Sequence, residues 1–276
     1  VIVGPDRRTG SVTRNQPTDR AERPTFGCAS LGAVPATESH SPVRRPANDL
    51  RLYDDLVEQW WRPRGAFAML HWLARARGEL VPPATRPGAV LVDLACGGGL
   101  LAPYVAGRGY RHVGVDLTTS ALHRAARHGV LAVRGDVLAV PLASGCADVV
   151  VAGEVLEHVR DLAGAVAEAC RLLRPGGLLL IDTLADTALS KFLAVTVAER
   201  VPGGPPPGTH DPALFVNRDR LVRECAEHGV RLRLRGLRPS LADLARFLAG
   251  RAEHARMVPT RLTTVLFQGR GTKESP

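Results

Sequence analysis

Asp93, Asp116 and Asp136 stand in step with the glycine-rich turn "ACGGG" at 95–99, and together they outline a ligand before any fold is considered. Gly97, Gly99 and Ala102 match the G-x-G-x-x-G/A spacing of a dinucleotide loop, with an acid about twenty positions later. A pyrophosphate seeking the helix N-terminus would, however, be repelled by the fixed carboxylate of Asp93 just before the glycines. That carboxylate suits an ammonium group. Asp116 is placed to accept from two ribose hydroxyls, and Asp136 from an exocyclic amine on adenine. Either of these alone reads as readily as a helix or turn cap. All three in register with the glycines favour a ligand with amino-acid, ribose and adenine parts.

A second group is Glu154, Glu157 and His158. On a helix, positions i, i+3 and i+4 share one face, so two carboxylates and an imidazole would converge there. Two hard oxygens and one nitrogen suit Mg²⁺, Mn²⁺ or a similar divalent ion with positions left open for substrate. The alternative gives Glu157 and His158 a metal-free role, organising the ligand loop or acting on substrate. His210, with Asp211 in the loop "VPGGPPPGTHDP", is a candidate base near neutral pH. A structural loop hydrogen bond is its plain alternative.

Short strands ending in carboxylates are needed to position these groups. Apolar runs predict strands at about 90–94, 112–116, 130–134, 147–152 and 178–184, with helices at about 100–108, 119–128 and 161–173 between them. Such alternation implies an α/β fold, a mostly parallel sheet with helices on both faces and its ligand crevice at the C-terminal strand ends. Two helical segments, "DLRLYDDLVEQWW" and "GAFAMLHWLARARGELV", precede it. Trp60 and Trp61 either pack the first of these or line an apolar tunnel. Beyond the sheet, "ALSKFLAVTVAERV" (188–201) reads as one apolar helix. It either packs or touches a membrane surface, and it is too short to span a bilayer. A helix at about 217–228 and strands in "RLRLRGL" and "TRLTTVLFQGR" follow. The expected organisation is a disordered tail at 1–48 and one domain at 49–272, with a helical cap (49–82) and a substrate-side insertion (185–215).

Composition narrows the partners. The net charge is +9, but 34 of the 36 basic residues are Arg and they are spread along the chain, so a nucleic-acid surface is not the favoured reading. Five cysteines without a C-x-x-C pair argue against a disulfide framework or a zinc knuckle and for a reducing cytoplasm, with peripheral membrane contact as the variant.

S-adenosylmethionine carries the three ligand parts demanded above. The ordered segments "VDLACGGG", "GVD", "RGDV", "DVVVAGEVLEHV" and "RLLRPGG" resemble the class I S-adenosylmethionine-dependent methyltransferases. That family's Rossmann-like fold implies a mostly parallel seven-stranded sheet. A narrower likeness, from residue 53 to about 240, rests on "YDDLVEQWWRPRGAFAMLHWLARAR", "EVLEHV" and the "GTHD" loop. These segments resemble the ubiquinone-biosynthesis O-methyltransferases, which act on polyprenylated hydroxyphenols and catechols. The resemblance implies cofactor contacts from Arg77, Ala95, Asp116 and Gly153, beside those expected above of Asp93, Gly97, Gly99 and Asp136. It also implies a metal on Glu154, Glu157 and His158 and a phenol or quinol substrate, with His158 and, from its own chemistry, His210 as the candidate catalytic residues. Ala95 stands where the family usually has glycine, and Gly153 where a larger apolar residue can occur. Competing readings are C- or N-methylation of another small metabolite, and a non-catalytic S-adenosylmethionine-binding protein.

Overall fold

The computed structural model describes residues 47–275; the expected tail therefore lies outside the described residues up to position 46. α1 (Arg51–Asp55), a 3-10 turn at Val57–Gln59 and α2 (Ala68–Gly78) come first. The sheet begins with β1 (Val90–Leu94), α3 (Ala102–Val105), β2 (Arg111–Asp116), α4 (Thr119–Ala126) and β3 (Leu131–Arg134). β4 (Ala147–Gly153), a 3-10 turn at Leu156–His158, α5 (Leu162–Leu172) and β5 (Leu173–Leu184) complete its parallel part. Then follow α6 (Ala188–Lys191), α7 (Arg218–Glu227), β6 (Arg233–Pro239), α8 (Leu241–Leu248), β7 (Met257–Thr260) and β8 (Leu266–Thr272).

The strands lie in the order β3-β2-β1-β4-β5-β8-β6-β7. β1 to β5 pair in parallel, whereas β8 runs antiparallel between β5 and β6. The described sheet thus has eight strands where seven are expected. The extra one is β7, a short edge strand with Pro259 that pairs antiparallel with β6. Its four residues show no alternation and its proline is tolerated at an edge, so no sequence signal marks it. α8 is also absent from the expected elements.

Side-chain alternation along the strands sets up the site. Val92, Val150, Ala152, Leu179 and Ile181 pack on one face under α5 and α7. Leu91, Val149, Val151, Leu178 and Leu180 pack on the other with Val81, Leu101 and Val105. Burying a leucine as fully as Leu179 or Leu180 contributes about 1.5–3 kcal/mol. α5 buries Leu162, Ala165, Val166, Ala169 and Cys170, the stripe of a helix facing a core, and Asp161 caps it by accepting from the Gly164 amide at 3.0 Å. By the period of two, Asp93, Gly153 and Asp182 fall on the face of Leu91, Val151 and Leu180 at the ends of β1, β4 and β5.

The single helix expected at 188–201 is instead composite. After α6 the chain takes a π-helical stretch at Phe192–Val197 and a 3-10 turn at Ala198–Arg200. Val195, Thr196 and Val197 are all β-branched and weaken a regular α-helix there. Wide turns of this kind recur at functional sites, and this one leads into Glu199, whose side chain turns inward.

Candidate functional site

A cavity of about 980 Å³ opens along the C-terminal strand ends, lined at one end by Arg77, Asp93, Ala95, Gly97, Asp116 and Asp136. Asp116 Oδ2 accepts from the Gly97 amide at 2.9 Å and its Oδ1 from the Thr118 amide at 2.8 Å, so the carboxylate is fixed with lone pairs remaining. Asp136 Oδ1 accepts from the Leu138 amide at 2.9 Å; it closes a turn and lines the cavity as well. Asp93 is buried, with His112 Nε2 at 3.4 Å. Ala95 adopts φ +53°, the left-handed conformation glycine takes freely, at a cost of about 1–2 kcal/mol. The backbone thus keeps the glycine-type turn without the glycine.

Trp60 lies on this loop: a Cβ at Gly98 would come within 2.7 Å of its Cγ. Only a side-chain-free backbone admits the indole. Trp60 stacks on Phe67 at 4.1 Å between centroids, while Trp61 Nε1 donates to the Gly98 carbonyl at 3.0 Å. His71 Nε2 donates to the Trp60 carbonyl at 2.8 Å and fixes the turn between the two helices. Trp60 both packs α1 and lines the cavity, so the two sequence readings of it coexist.

Beyond the loop, Glu154 and Glu157 meet. Glu157 is fully buried and its Oε2 accepts from Thr183 Oγ1 at 2.8 Å. One oxygen of each, Glu154 Oε1 and Glu157 Oε1, is buried without a hydrogen-bond partner among the described residues. Burial, and then the facing Glu157 carboxylate, push the Glu154 carboxyl well above the ordinary range. Glu154 also holds φ +52°, a strained backbone at a polar centre.

The face shared by Glu154, Glu157 and His158 does not form as expected. Only Leu156–His158 is helical, in a 3-10 turn, and Glu154 lies outside it. His158 turns to Asn48 instead: Asn48 Nδ2 donates to the His158 carbonyl at 2.9 Å, so its Oδ1 accepts from His158 Nδ1 at 2.8 Å. Among the described residues no three His, Cys, Asp or Glu side chains are grouped to hold a metal ion. The reason is local: the 3-10 turn separates neighbours that an α-helix would stack.

Two histidines face each other here, His158 and His210, their rings roughly parallel at 5.6 Å. Burial, and then His210, push His158 down to about 3, so it is neutral at working pH with Nε2 as its acceptor. His210 has a different partner. Its Nδ1 lies 3.1 Å from Glu199 Oε1, which also accepts from the His210 amide at 3.1 Å; Glu199 Oε2 accepts from the Gly208 amide at 2.8 Å. Burial works against the Glu199 charge, but the His210 bond and the two amides outweigh it and hold the carboxyl below its ordinary value. With an acceptor on Nδ1, Nε2 of His210 is free to take a proton.

A carboxyl depressed in the folded state contributes stability above its unfolded value of 4.5, which is lost as pH falls through the lower folded value. Glu199→Gln is therefore expected to lower the Tm by a few degrees at pH 7, about 1–2 kcal/mol, with the gap to the parent narrowing as the pH falls below 4.5. Thermal melts across pH 3–8 check this; a constant gap at all pH values would contradict it.

Glu199, Asn48 and Tyr53 escape sequence reasoning. Tyr53 lines the cavity, and burial followed by Glu157, Asp116 and Glu154 keeps its phenol protonated. Glu199 carried one legible signal, a lone acid inside an apolar run. The far end of the cavity is apolar, with Leu193, Ala194, Val197, Val201, Leu244 and Leu248 along it.

The model of the methyltransferase domain family matches residues 92–181. A protein of Burkholderia pseudomallei named ubiquinone biosynthesis O-methyltransferase is 37% identical over 193 residues, 67% of this chain and 83% of that protein. The protein of that name from Thiobacillus denitrificans is 37% identical over 194 residues, with the same coverage. Among solved structures, an S-adenosylmethionine-dependent methyltransferase of Thermotoga maritima, described as a possible histamine N-methyltransferase, superposes with TM-score 0.57 at 17% identity, covering 81% of this chain and 99% of that one. Phosphoethanolamine N-methyltransferase 2 of Haemonchus contortus, in complex with S-adenosylmethionine, gives 0.54 at 15% identity, covering 81% of this chain and 60% of that one. At those identities the likeness is one of fold.

Proposed function

Since the chain belongs to the S-adenosylmethionine-dependent methyltransferases and to the family of the ubiquinone biosynthesis O-methyltransferases, we propose that it methylates a hydroxyl of a phenolic or catechol-like small molecule with an apolar tail. The observation that carries this reading is His210, held by Glu199, lining the same cavity as Asp116. The residues at the loop end fit the cofactor: Asp116 for the ribose diol, Asp136 for the adenine amine, and Asp93 and Arg77 for the zwitterionic amino-acid end. When bound, S-adenosylmethionine supplies an electrophilic methyl on sulfur.

The chain's own residues provide the rest. His210 Nε2 takes the proton of the substrate hydroxyl, and Glu199 balances the imidazolium charge. The oxygen freed of its proton would be the nucleophile for the methyl group that the cofactor supplies. The cavity walls would hold the substrate oxygen beside the cofactor end, and positioning of this kind supplies much of the acceleration. His158, neutral and fixed by Asn48, accepts a second hydroxyl hydrogen bond of a catechol.

A divalent cation is a further element of the proposal. Two buried carboxylate oxygens without partners among the described residues are hard donors of the kind Mg²⁺ or Mn²⁺ takes. Glu154 and Glu157 would hold it, with His158 joining only by leaving Asn48. Its chemistry would be to lower the pKa of a phenol from about 10.

The tail reading draws on the apolar end of the cavity and on Leu189, Phe192 and Leu241, which are exposed nearby in α6, the π stretch and α8. These would rest on a lipid surface that holds a greasy substrate. No helix among the described residues is long and apolar enough to cross a membrane. The test is a radiolabelled methyl-transfer screen over catechols, hydroxyphenols and quinol precursors, with and without apolar tails, liposomes and divalent metal. Label on a tailed phenol, enhanced by liposomes, is the expected result. Label only on amines or carbon acids would overturn the assignment, and turnover undiminished by exhaustive chelation would remove the cation.

A further inference from the structure

Arg77 is the cation at the loop end of the cavity, and two neighbours in the sheet decide where its guanidinium lies. Gly153 and Asp182 pair directly across the β4–β5 ladder. Alternation places both, at the strand ends, on the face that packs with Val81, just after α2, and with Leu101 and Val105. Arg77 Nε donates to Asp182 Oδ2 and Nη2 to Asp182 Oδ1, both at 2.8 Å, in a bidentate pair. Asp182 is fully buried and Arg77 nearly so. A Cβ built on Gly153 would overlap the guanidinium carbon together with Nε and Nη1. Gly153 is not among the residues with positive φ, so the glycine is there for space and not for backbone freedom.

This arrangement settles a competition. Asp93 and Glu154 also act on Arg77, so three acids surround one guanidinium. Left free, the guanidinium would fold onto Asp93 and neutralise the carboxylate that the ligand's ammonium needs. With two of its nitrogens committed to Asp182, Nη1 makes no hydrogen bond among the described residues, and Arg77 lines the cavity. From this geometry we infer that Gly153 and Asp182 form a seat for Arg77, with Asp182 as a positioning residue that aims the guanidinium at the carboxylate of the ligand's amino-acid end. The neutral pair can be buried because the geometry is bidentate, whereas a lone buried charge could not. The inference rests on the reading that S-adenosylmethionine is the ligand.

Two probes separate the inference from that reading. S-adenosylmethionine has the amino-acid end; methylthioadenosine has only the nucleoside end. Calorimetric titration of the full chain is expected to show both binding. Asp182→Asn and Gly153→Ala should each weaken S-adenosylmethionine roughly 10- to 100-fold while changing methylthioadenosine less than about threefold. In turnover the KM for S-adenosylmethionine should rise by the same factor with kcat nearly constant. Unchanged affinity for S-adenosylmethionine, or equal losses for both probes in Gly153→Ala, would overturn the seat. If the parent chain binds neither probe, the cofactor reading itself falls. A variant Asp182→Asn that does not fold binds neither probe, and Gly153→Ala, which leaves the ion pair's charges in place, then decides.

Discussion

Asp116→Ala should raise the Kd for S-adenosylmethionine by roughly 10²- to 10⁴-fold, the largest binding effect of any single change in the loop. Asp116 would accept from two ribose hydroxyls, and a hydrogen bond to a charged group is worth about 1.5–3 kcal/mol. The change acts twice, because the same carboxylate holds the Gly97 amide at 2.9 Å and the Thr118 amide at 2.8 Å. Removing it frees two buried donors and loosens the turn on which Trp60 rests. Asp116→Asn keeps one acceptor oxygen and should fall between parent and alanine. Unlike the seat variants, both should lose methylthioadenosine in parallel with S-adenosylmethionine, because the ribose is common to the two. Thermal melts run alongside separate ligand loss from unfolding. A loss below about tenfold in a folded Asp116→Ala chain would mean that the ribose lies elsewhere.

His210→Ala is expected to cost about 10²- to 10⁴-fold in kcat with little change in the KM for S-adenosylmethionine, the range for loss of a general base. Glu199→Gln should cost less, since its amide oxygen can still accept at Nδ1, while the balancing charge and the acceptor for the Gly208 amide are lost. A distinguishing readout is pH. Near the ordinary phenol pKa of about 10, the substrate ionises without help, and the deficit of His210→Ala should shrink. His158→Ala should not show this pattern, because His158 is pushed down to about 3 and is a poor base. A His210→Ala chain with near-parental kcat at pH 7 would end the base assignment.

The parallel half of the fold is legible because strand and helix periods are local properties. Each of β1, β2 and β4 carries its own apolar run, and Asp93 and Asp116 sit at or near the ends of theirs. Motif spacing on one stretch of chain likewise marks the glycine turn, whose left-handed backbone survives in Ala95. The antiparallel edge is harder to read. β7 is four residues long with a proline, and its pairing to β6 comes from a contact that no local pattern encodes. The face expected for Glu154, Glu157 and His158 fails for a related reason. Spacing presumes an α-helix, but the chain there makes a 3-10 turn, and Asn48 takes the imidazole.

What the sequence determined by itself is the sheet's parallel order of elements, the glycine-rich loop and the three acids around it, because each is written in contiguous residues with a fixed period. Only the tertiary structure decided the pairings across distance. Glu199 meets His210 through a π-helical stretch and a loop, Asn48 reaches His158 from 110 residues away, and Asp182 reaches Arg77 from 105. Gly153 looks like a missing side chain in a strand until the guanidinium that fills its place is seen. Buried charges find partners wherever packing brings them together, and packing is a property of the whole chain.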